Sequence, residues 1–195
     1  MHRVVQQHMK NFSKAHSLGL EEDKMFEAFS AYTLLRQHSN DKIDPEDLVH
    51  FGAEPGIDSM VFVVDDVVVL TTEEFEGEIK SGKKDKVVTI ICVQAKTSES
   101  WNKGEINKFE SAIADFFSNE EFKYPVGDRV VELRQIFDLA IENVGRIRNG
   151  KPDIECYFVT TGPKPEQAEI LAAGSRVGAA AVSTGLFSTV RSELV

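Results

Sequence analysis

Two polar side chains close an apolar run of strand length near the middle of the chain. The run covers residues 87–96, is rich in β-branched residues and carries Gln94 and Lys96 at its C-terminal end. A continuous apolar run of this kind is typical of a central strand covered on both faces. Because alternate residues of a strand project from the same face, we expect Gln94 and Lys96 side by side. With an amide and an ammonium so placed, one group can bind a metal ion and the other can bind a water molecule or a phosphate.

A site of this kind also needs a carboxylate, and the candidate is Asp58. It directly precedes a second strand-like run at residues 60–64. A cation such as Mg²⁺ prefers oxygen ligands and keeps several of its waters, so few protein groups are needed to bind it. Asp58, Gln94 and Lys96 therefore predict a site for a hard cation, if the fold brings the two runs together.

Hydrophobic spacing predicts the elements that must position these groups. Apolar residues recur at helical intervals over residues 21–37, over 106–117 and over 128–144. Residues 60–64 and 67–70 predict a β-hairpin that turns at Asp65 and Asp66, and residues 154–161 predict a further strand. We therefore expect an α/β fold, with a mixed sheet of about four or five strands and helices on both faces.

Bulk composition narrows the class of protein. A chain of 195 residues fits a domain with a substantial core. It has no apolar run of membrane-spanning length and no signal-peptide pattern at its N-terminus, so we expect a cytoplasmic protein and no membrane partner. Cys92 and Cys156 both fall in strand-like runs, which favours buried free thiols over a disulfide or a zinc site.

The order of these motifs resembles a known family. Gly56-Ile57-Asp58, then a hydrophobic strand, then Val93-Gln94-Ala95-Lys96 is similar to the catalytic core of the PD-(D/E)xK nuclease superfamily, in its Mrr-like Gln-x-Lys variant. Residues 96–109 and 157–162 look like the N-terminal domain of abortive-infection phage-resistance (AIPR) proteins. This resemblance implies a restriction-endonuclease-like fold. It also implies a domain of an anti-phage defence protein that cleaves nucleic acid with the help of a metal ion. DNA is the expected substrate, and RNA is the alternative.

The resemblance also implies a role for each site residue. Asp58 would be the main ligand of Mg²⁺ or Mn²⁺, Gln94 would offer its side-chain carbonyl oxygen where relatives offer a carboxylate, and Ala95 would add its backbone carbonyl. Lys96 would position the attacking water and stabilise negative charge. Glu27 matches an extra acidic group that relatives supply from their first core helix, either for a second metal or through water. Because the helix dipole favours a glutamate in the first turn whatever its function, a structural role for Glu27 stays open.

Net charge argues against easy contact with nucleic acid. The chain carries 22 basic and 32 acidic residues, a net charge of −10, whereas affinity for phosphates comes mainly from Lys and Arg. Candidate basic patches are Lys103 and Lys108 after the central strand, and Arg146, Arg148 and Lys151 in one linker.

Two other classes of function stand as alternatives to a nuclease. The acidic charge and the uncharged amide at position 94 also fit a catalytically inactive nuclease-like module for binding or assembly. A Ser or Cys hydrolase lacks a supporting Gly-x-Ser-x-Gly element or Cys-His pairing. The oligomeric state, a homodimer included, stays open.

The predicted domain organisation has three parts. Residues 1–20 form an N-terminal helical extension, residues 21–175 form the nuclease-like α/β domain, and residues 176–195 begin a following segment. The stretch from residue 172 onward is rich in Ala, Gly and Ser without a clear stop. Since AIPR proteins continue past this point, we expect an N-terminal piece whose partner is the C-terminal remainder of a longer chain.

Overall fold

The structure, a computed structural model, describes residues 1–49, 56–82, 84–123 and 125–195. Its helices are α1 (Arg3–His16), α2 (Glu22–Leu35), α3 (Thr72–Lys80), α4 (Lys103–Phe116), α5 (Asp128–Glu142) and α6 (Ala168–Ser183). Its strands are β1 (Ser59–Val64), β2 (Val67–Val69), β3 (Val88–Lys96), β4 (Asp153–Thr160) and β5 (Val190–Leu194). Short 3-10 helices cover Pro45–Leu48, Val144–Arg146 and Arg148–Gly150.

A single mixed sheet of five strands organises the fold, in the order β2-β1-β3-β4-β5. β3 is central, and its residues from Val88 to Ala95 are all buried. β1 runs antiparallel to β2 and β3, whereas β3, β4 and β5 run parallel to one another. The predicted α/β class, the mixed sheet and the hairpin are confirmed. Asp65 takes the left-handed conformation that a tight hairpin turn requires, with φ of 60°.

The two faces of the sheet bury alternate side chains of each strand, as the strand period requires. One face packs against α3, α4, α5 and α6, and its strand side chains include Met60, Phe62, Ile90 and Cys92. The other face packs against α1 and α2, and its strand side chains include Val61, Val63, Ile91 and Val93. Helices therefore cover both faces, as predicted. Cys92 and Cys156, register partners on β3 and β4, are buried free thiols, which was also predicted.

The C-terminal boundary of the predicted domain is wrong. Position 175 lies inside α6, and the strand that follows this helix, β5, pairs with β4 along its whole length. Residues 176–195 therefore complete the sheet instead of beginning a following segment. The physical reason is that α6 packs on β4 and β5 through small residues. A Cβ at Gly174 would lie only 2.8 Å from the side chain of Leu194.

The end of the predicted helix at residues 128–144 is also wrong. α5 ends at Glu142, and Val144 lies in a 3-10 turn with 37% of its surface exposed. Within the part of the chain that the structure describes, no helix combines the length and the apolar character that crossing a membrane would require.

Candidate functional site

Strand register places Asp58 opposite Gln94. Ser59, the first residue of β1, pairs with Val93 of β3 in an antiparallel ladder, so the next position outward on each strand brings Asp58 against Gln94. The backbone N–H of Asp58, just before β1 begins, also donates to the Val93 carbonyl, at 2.9 Å. The hairpin and α3, which separate the two residues along the chain, return β3 alongside β1. This explains how residues far apart in sequence become neighbours.

Three groups of β3 converge on one oxygen of Asp58. Gln94 Nε2 donates to Asp58 Oδ2 at 2.6 Å, and the Ala95 backbone N–H donates to the same oxygen at 2.8 Å. Lys96 Nζ lies 3.9 Å from it. Among the described residues, nothing donates a hydrogen bond to the other oxygen, Oδ1. The structure thus brings together Asp58, Gln94, Ala95 and Lys96, and it leaves one carboxylate oxygen open to a further ligand.

The amide of Gln94 is oriented differently from the expectation. Its nitrogen, not its carbonyl oxygen, faces Asp58. Gln94 is 1% exposed, and its Oε1 is buried without a hydrogen-bond partner among the described residues. A buried acceptor without a partner costs on the order of 1–3 kcal/mol, so this oxygen would gain from a cation if the amide turned it toward Asp58.

The backbone carbonyl of Ala95 is also available at this end of the sheet. In a strand, the N–H and C=O of one residue point to the same side. The Ala95 N–H points toward Asp58, beyond Ser59 where the β1 ladder ends. Its carbonyl therefore points to the same end of the β1–β3 pair as Asp58.

Glu27 reaches the end of β3 from the opposite face of the sheet. α2 covers the face that holds the Ala95 side chain, whereas Gln94 alternates to the other face. Glu27, Ala95 and Lys96 line a cavity of about 200 Å³, together with Asp23, Thr97 and Ser98. Glu27 is buried and accepts a hydrogen bond from Lys24 Nζ at 2.7 Å. The side chain of Lys96, 36% exposed, joins this cavity to Asp58.

Burial makes both carboxylates costly to ionise. Desolvation raises the pKa of Asp58 above its ordinary value of 3.8, although Lys96 and the hydrogen bonds from Ala95 and Gln94 oppose the rise. Desolvation also raises the pKa of Glu27 above 4.5, and the nearby charge of Asp58 adds to the rise while Lys24 opposes it. Carboxyl groups with perturbed pKa values are candidate functional residues, and Glu27 lines a cavity beside Lys96.

The donor set fits a hard cation that keeps most of its waters. Oxygen ligands are available from Asp58, Ala95 and, after rotation of its amide, Gln94. In the described part of the chain, no group of three or more His, Cys, Asp or Glu side chains could form an all-protein cage. This sparse set of oxygen ligands matches the preference of Mg²⁺ and does not match that of Zn²⁺.

Sequence reasoning missed two residues that border this site. Asp23 and Lys24 lie in the first turn of α2, one turn before Glu27. Asp23 accepts a hydrogen bond from Thr97 Oγ1 at 2.9 Å and so ties α2 to the loop after β3. Their spacing of three and four residues from Glu27 on one helix was the signal that could have identified them.

The predicted basic patch at residues 146–151 lies at the wrong end of the sheet. Arg148 donates its backbone N–H to the carbonyl of Lys86, which precedes β3, whereas the site lies at the end of β3. Nine residues of strand separate the two by roughly 25 Å. Two of these side chains are also engaged elsewhere, since Arg146 donates to the carbonyl of Ile79 and Lys151 to that of Gly185.

Lys103 and Lys108 lie on α4, the helix that follows β3. Both are in ion pairs, Lys103 with Glu169 at 3.7 Å and Lys108 with Glu105 at 2.6 Å. These pairs are exposed, so their charges are weakly held and remain available to a phosphate.

Comparisons with known proteins give no relative. No family model, no curated protein and no solved structure matches this chain.

Proposed function

We propose that this domain is a metal-dependent phosphodiesterase that cleaves nucleic acid, with DNA as the first substrate to test. The observation that carries the proposal is the convergence of Gln94, Ala95 and Lys96 on one carboxylate, Asp58, at the end of the central strand. Phosphodiester hydrolysis needs an activated water and a counter-charge for the crowded oxyanions. This cluster offers an acidic ligand and an ammonium within one small space.

A divalent cation, Mg²⁺ or Mn²⁺, would supply an acidified water and neutralise developing charge at the phosphate. Asp58 would hold it through Oδ1, with Ala95 offering its carbonyl and Gln94 its Oε1. Glu27, which lines a cavity together with Lys96, would contact the cation through water or hold a second one.

The chain's own groups would orient the reactants. Lys96 Nζ carries positive charge near Asp58 and faces the cavity that Glu27 lines, which suits it to hold a water or a phosphate oxygen. The Ala95 N–H would hold the Asp58 carboxylate in place while the Gln94 amide turns its Oε1 toward the cation.

The cellular setting is part of the same proposal. The resemblance to AIPR proteins suggests an anti-phage defence protein that acts in the cytoplasm. Because the net charge of −10 opposes binding to a polyanion, affinity for DNA would come from lysines local to the site.

A cleavage assay with one substituted lysine tests the proposal. The 195-residue chain is incubated with supercoiled DNA and Mg²⁺ or Mn²⁺, and Lys96→Ala is compared with Lys80→Ala. Lys80 is a suitable control because its side chain is exposed on α3 and pairs with the neighbouring Glu76. We expect nicking by the native chain and by Lys80→Ala, and a loss of at least 100-fold in Lys96→Ala. Equal nicking by Lys96→Ala, with the fold intact by circular dichroism, would contradict the proposal.

One observation favours a second candidate, an inactive nuclease-like module for binding or assembly. The amide of Gln94 already satisfies Asp58 Oδ2 from within the protein, an arrangement that stabilises the carboxylate without a cation. This candidate predicts that neither Mg²⁺ nor Mn²⁺ raises the melting temperature and that no divalent cation supports cleavage.

A further inference from the structure

The sheet ends at β5 with backbone groups that have no partner among the described residues. Ile154 N–H donates to the Thr189 carbonyl, and Val195 N–H donates to the Phe158 carbonyl, so the backbones of Thr189 and Val195 face β4. By the two-residue period of a strand, the backbones of Arg191 and Glu193 face β4 as well. Those of Val190, Ser192 and Leu194 therefore face outward, away from the sheet.

The opposite edge of the sheet, at β2, is protected against pairing with another strand, whereas the described residues do not protect β5. β2 has three residues, and the side chain of Asp41 accepts the hydrogen bond of the Val68 N–H at 2.9 Å. Short strands and capped N–H groups are common means of preventing edge-to-edge pairing. β5 has five residues and no such cap in the part of the chain that the structure describes.

The sequence of β5 is complementary to itself in an antiparallel register. If two copies meet about a two-fold axis at Ser192, Val190 lies opposite the partner's Leu194 and Ser192 opposite the partner's Ser192. These outward-facing residues then form the hydrogen-bonded pairs of the ladder. Arg191 lies opposite the partner's Glu193 in a non-hydrogen-bonded pair, where side chains approach most closely. Each copy thus meets its charge complement twice.

Exposed apolar side chains on α6 extend the same surface. Leu171 is 45% exposed and Val182 is 62% exposed, and at 100° per residue they point within about 20° of one another. Arg176, which contacts Glu110 and Asn107 of α4, points about 120–140° away from both. Leu171 and Val182 therefore lie on the flank of α6 away from α4, beside the open edge of β5.

We infer that β5 pairs with β5 of a second copy of this chain, centred on Ser192, and that Leu171 and Val182 widen the interface. The joined sheet has ten strands. Because the two β5 strands run antiparallel, the two candidate sites lie at opposite ends of this sheet, and each works without the other. The dimer and the proposed catalysis can therefore fail independently.

Charge reversal tests the register. R191E and E193R each place like charges opposite one another at both cross-strand pairs. We expect sedimentation equilibrium to give about twice the 21.7 kDa chain mass for the native chain, and at least tenfold weaker association for each variant. Arg148→Glu breaks a comparable exposed ion pair, that of Arg148 with Asp85, and should associate like the native chain.

Mixing the two variants separates contacts between chains from contacts within one. Arg191 also bonds Glu193 of its own strand at 2.8 Å, and mixing cannot restore that bond. In an equimolar mixture, the new carboxylate at position 191 of one chain faces the new guanidinium at position 193 of the other, so association should return to the native level. A monomeric native chain, a dimer unaffected by either reversal, or a mixture that stays dissociated would each overturn the inference.

Amide hydrogen exchange gives a second test that needs no substitution. As the concentration of the native chain rises through the dissociation constant, the amides of Val190, Ser192 and Leu194 should become protected at least tenfold. Those of Arg191 and Glu193, bonded to β4 in either state, should not change. Exchange at Ser192 that is independent of concentration would overturn the inference even if a variant failed to fold.

Discussion

Gln94 Nε2 and Asp58 Oδ2 lie 2.6 Å apart, and this contact leaves the carbonyl of the same amide buried without a described partner. The opposite orientation would put two oxygens against each other, so the amide turns its nitrogen toward an ionised Asp58. A cation on Asp58 reverses the preference. The last torsion of a glutamine side chain is soft, so the amide can follow the charge at little cost.

A carboxylate at position 94 should therefore destabilise the metal-free protein and strengthen its binding of a cation. Gln94→Glu places two acids at hydrogen-bonding distance in a buried site, which should lower the free energy of unfolding by about 1–3 kcal/mol at pH 7. The added charge should raise affinity for Mg²⁺ or Mn²⁺ at least tenfold. Chemical denaturation with and without the cation measures both effects.

Gln94→Leu is the matched control, because it keeps the approximate volume and removes both polar ends. The cation should not raise the free energy of unfolding of Gln94→Leu. If Gln94→Glu were as stable as the native chain and indifferent to Mn²⁺, Gln94 would not belong to a cation site.

The raised pKa values of Asp58 and Glu27 predict a pH dependence of stability. Because each folded pKa lies above its unfolded value, the folded state binds more protons in the interval between them, and stability rises as the pH falls through it. The double substitution Asp58→Asn with Glu27→Gln removes both ionisations. At pH 7, without metal, the double variant should melt a few degrees higher than the native chain.

Thermal melts at a series of pH values check this prediction by difference. The advantage of the double variant should shrink as the pH falls through the raised values and should vanish well below 3.8, where both native carboxyls are neutral in the folded and the unfolded state. If the difference in melting temperature stayed constant or grew as the pH fell, ionisation of the two carboxyls would not destabilise the fold.

Gly56 should be needed to hold the segment that leads into Asp58. Its φ is +103°, and an added Cβ would lie 2.5 Å from the carbonyl oxygen of Lys108. Gly56→Ala should therefore destabilise the fold by about 1–3 kcal/mol or more and displace Asp58. The midpoint of urea unfolding reports the loss.

Gly77→Ala provides the comparison for that substitution. Gly77 lies within α3, and an added Cβ would meet nothing within 4 Å. Alanine there should stabilise the protein by roughly 0.5–1 kcal/mol. If the two substitutions changed the stability equally, Gly56 would have no special role in holding this segment.

The central strand and the location of its polar residues could be predicted from the sequence. A continuous β-branched run marks a buried strand, and two residues of one parity share a face, so the course of β3 and the location of Gln94 and Lys96 were accessible. The antiparallel hairpin then brings Asp58 to the same end. The orientation of the Gln94 amide was not accessible, because it depends on which neighbour is charged.

The errors also have physical causes. α6 is rich in Ala, Gly and Ser, whose weak hydrophobic contrast hides its packing face, and β5 is a short edge strand that alternates in polarity. The misplaced basic patch follows from topology. Since β4 runs parallel to β3, the linker before β4 has to lie at the end of the sheet opposite to Lys96.

Calorimetric titration of Mn²⁺ into the native chain and into Asp58→Asn tests the central claim most directly. Asn keeps an acceptor for Gln94 and Ala95, so the fold is retained while the ligand charge is lost. We predict binding of Mn²⁺ to the native chain and at least a tenfold loss of affinity in Asp58→Asn. Equal binding by both proteins, or no binding by the native chain, would contradict a cation site at Asp58.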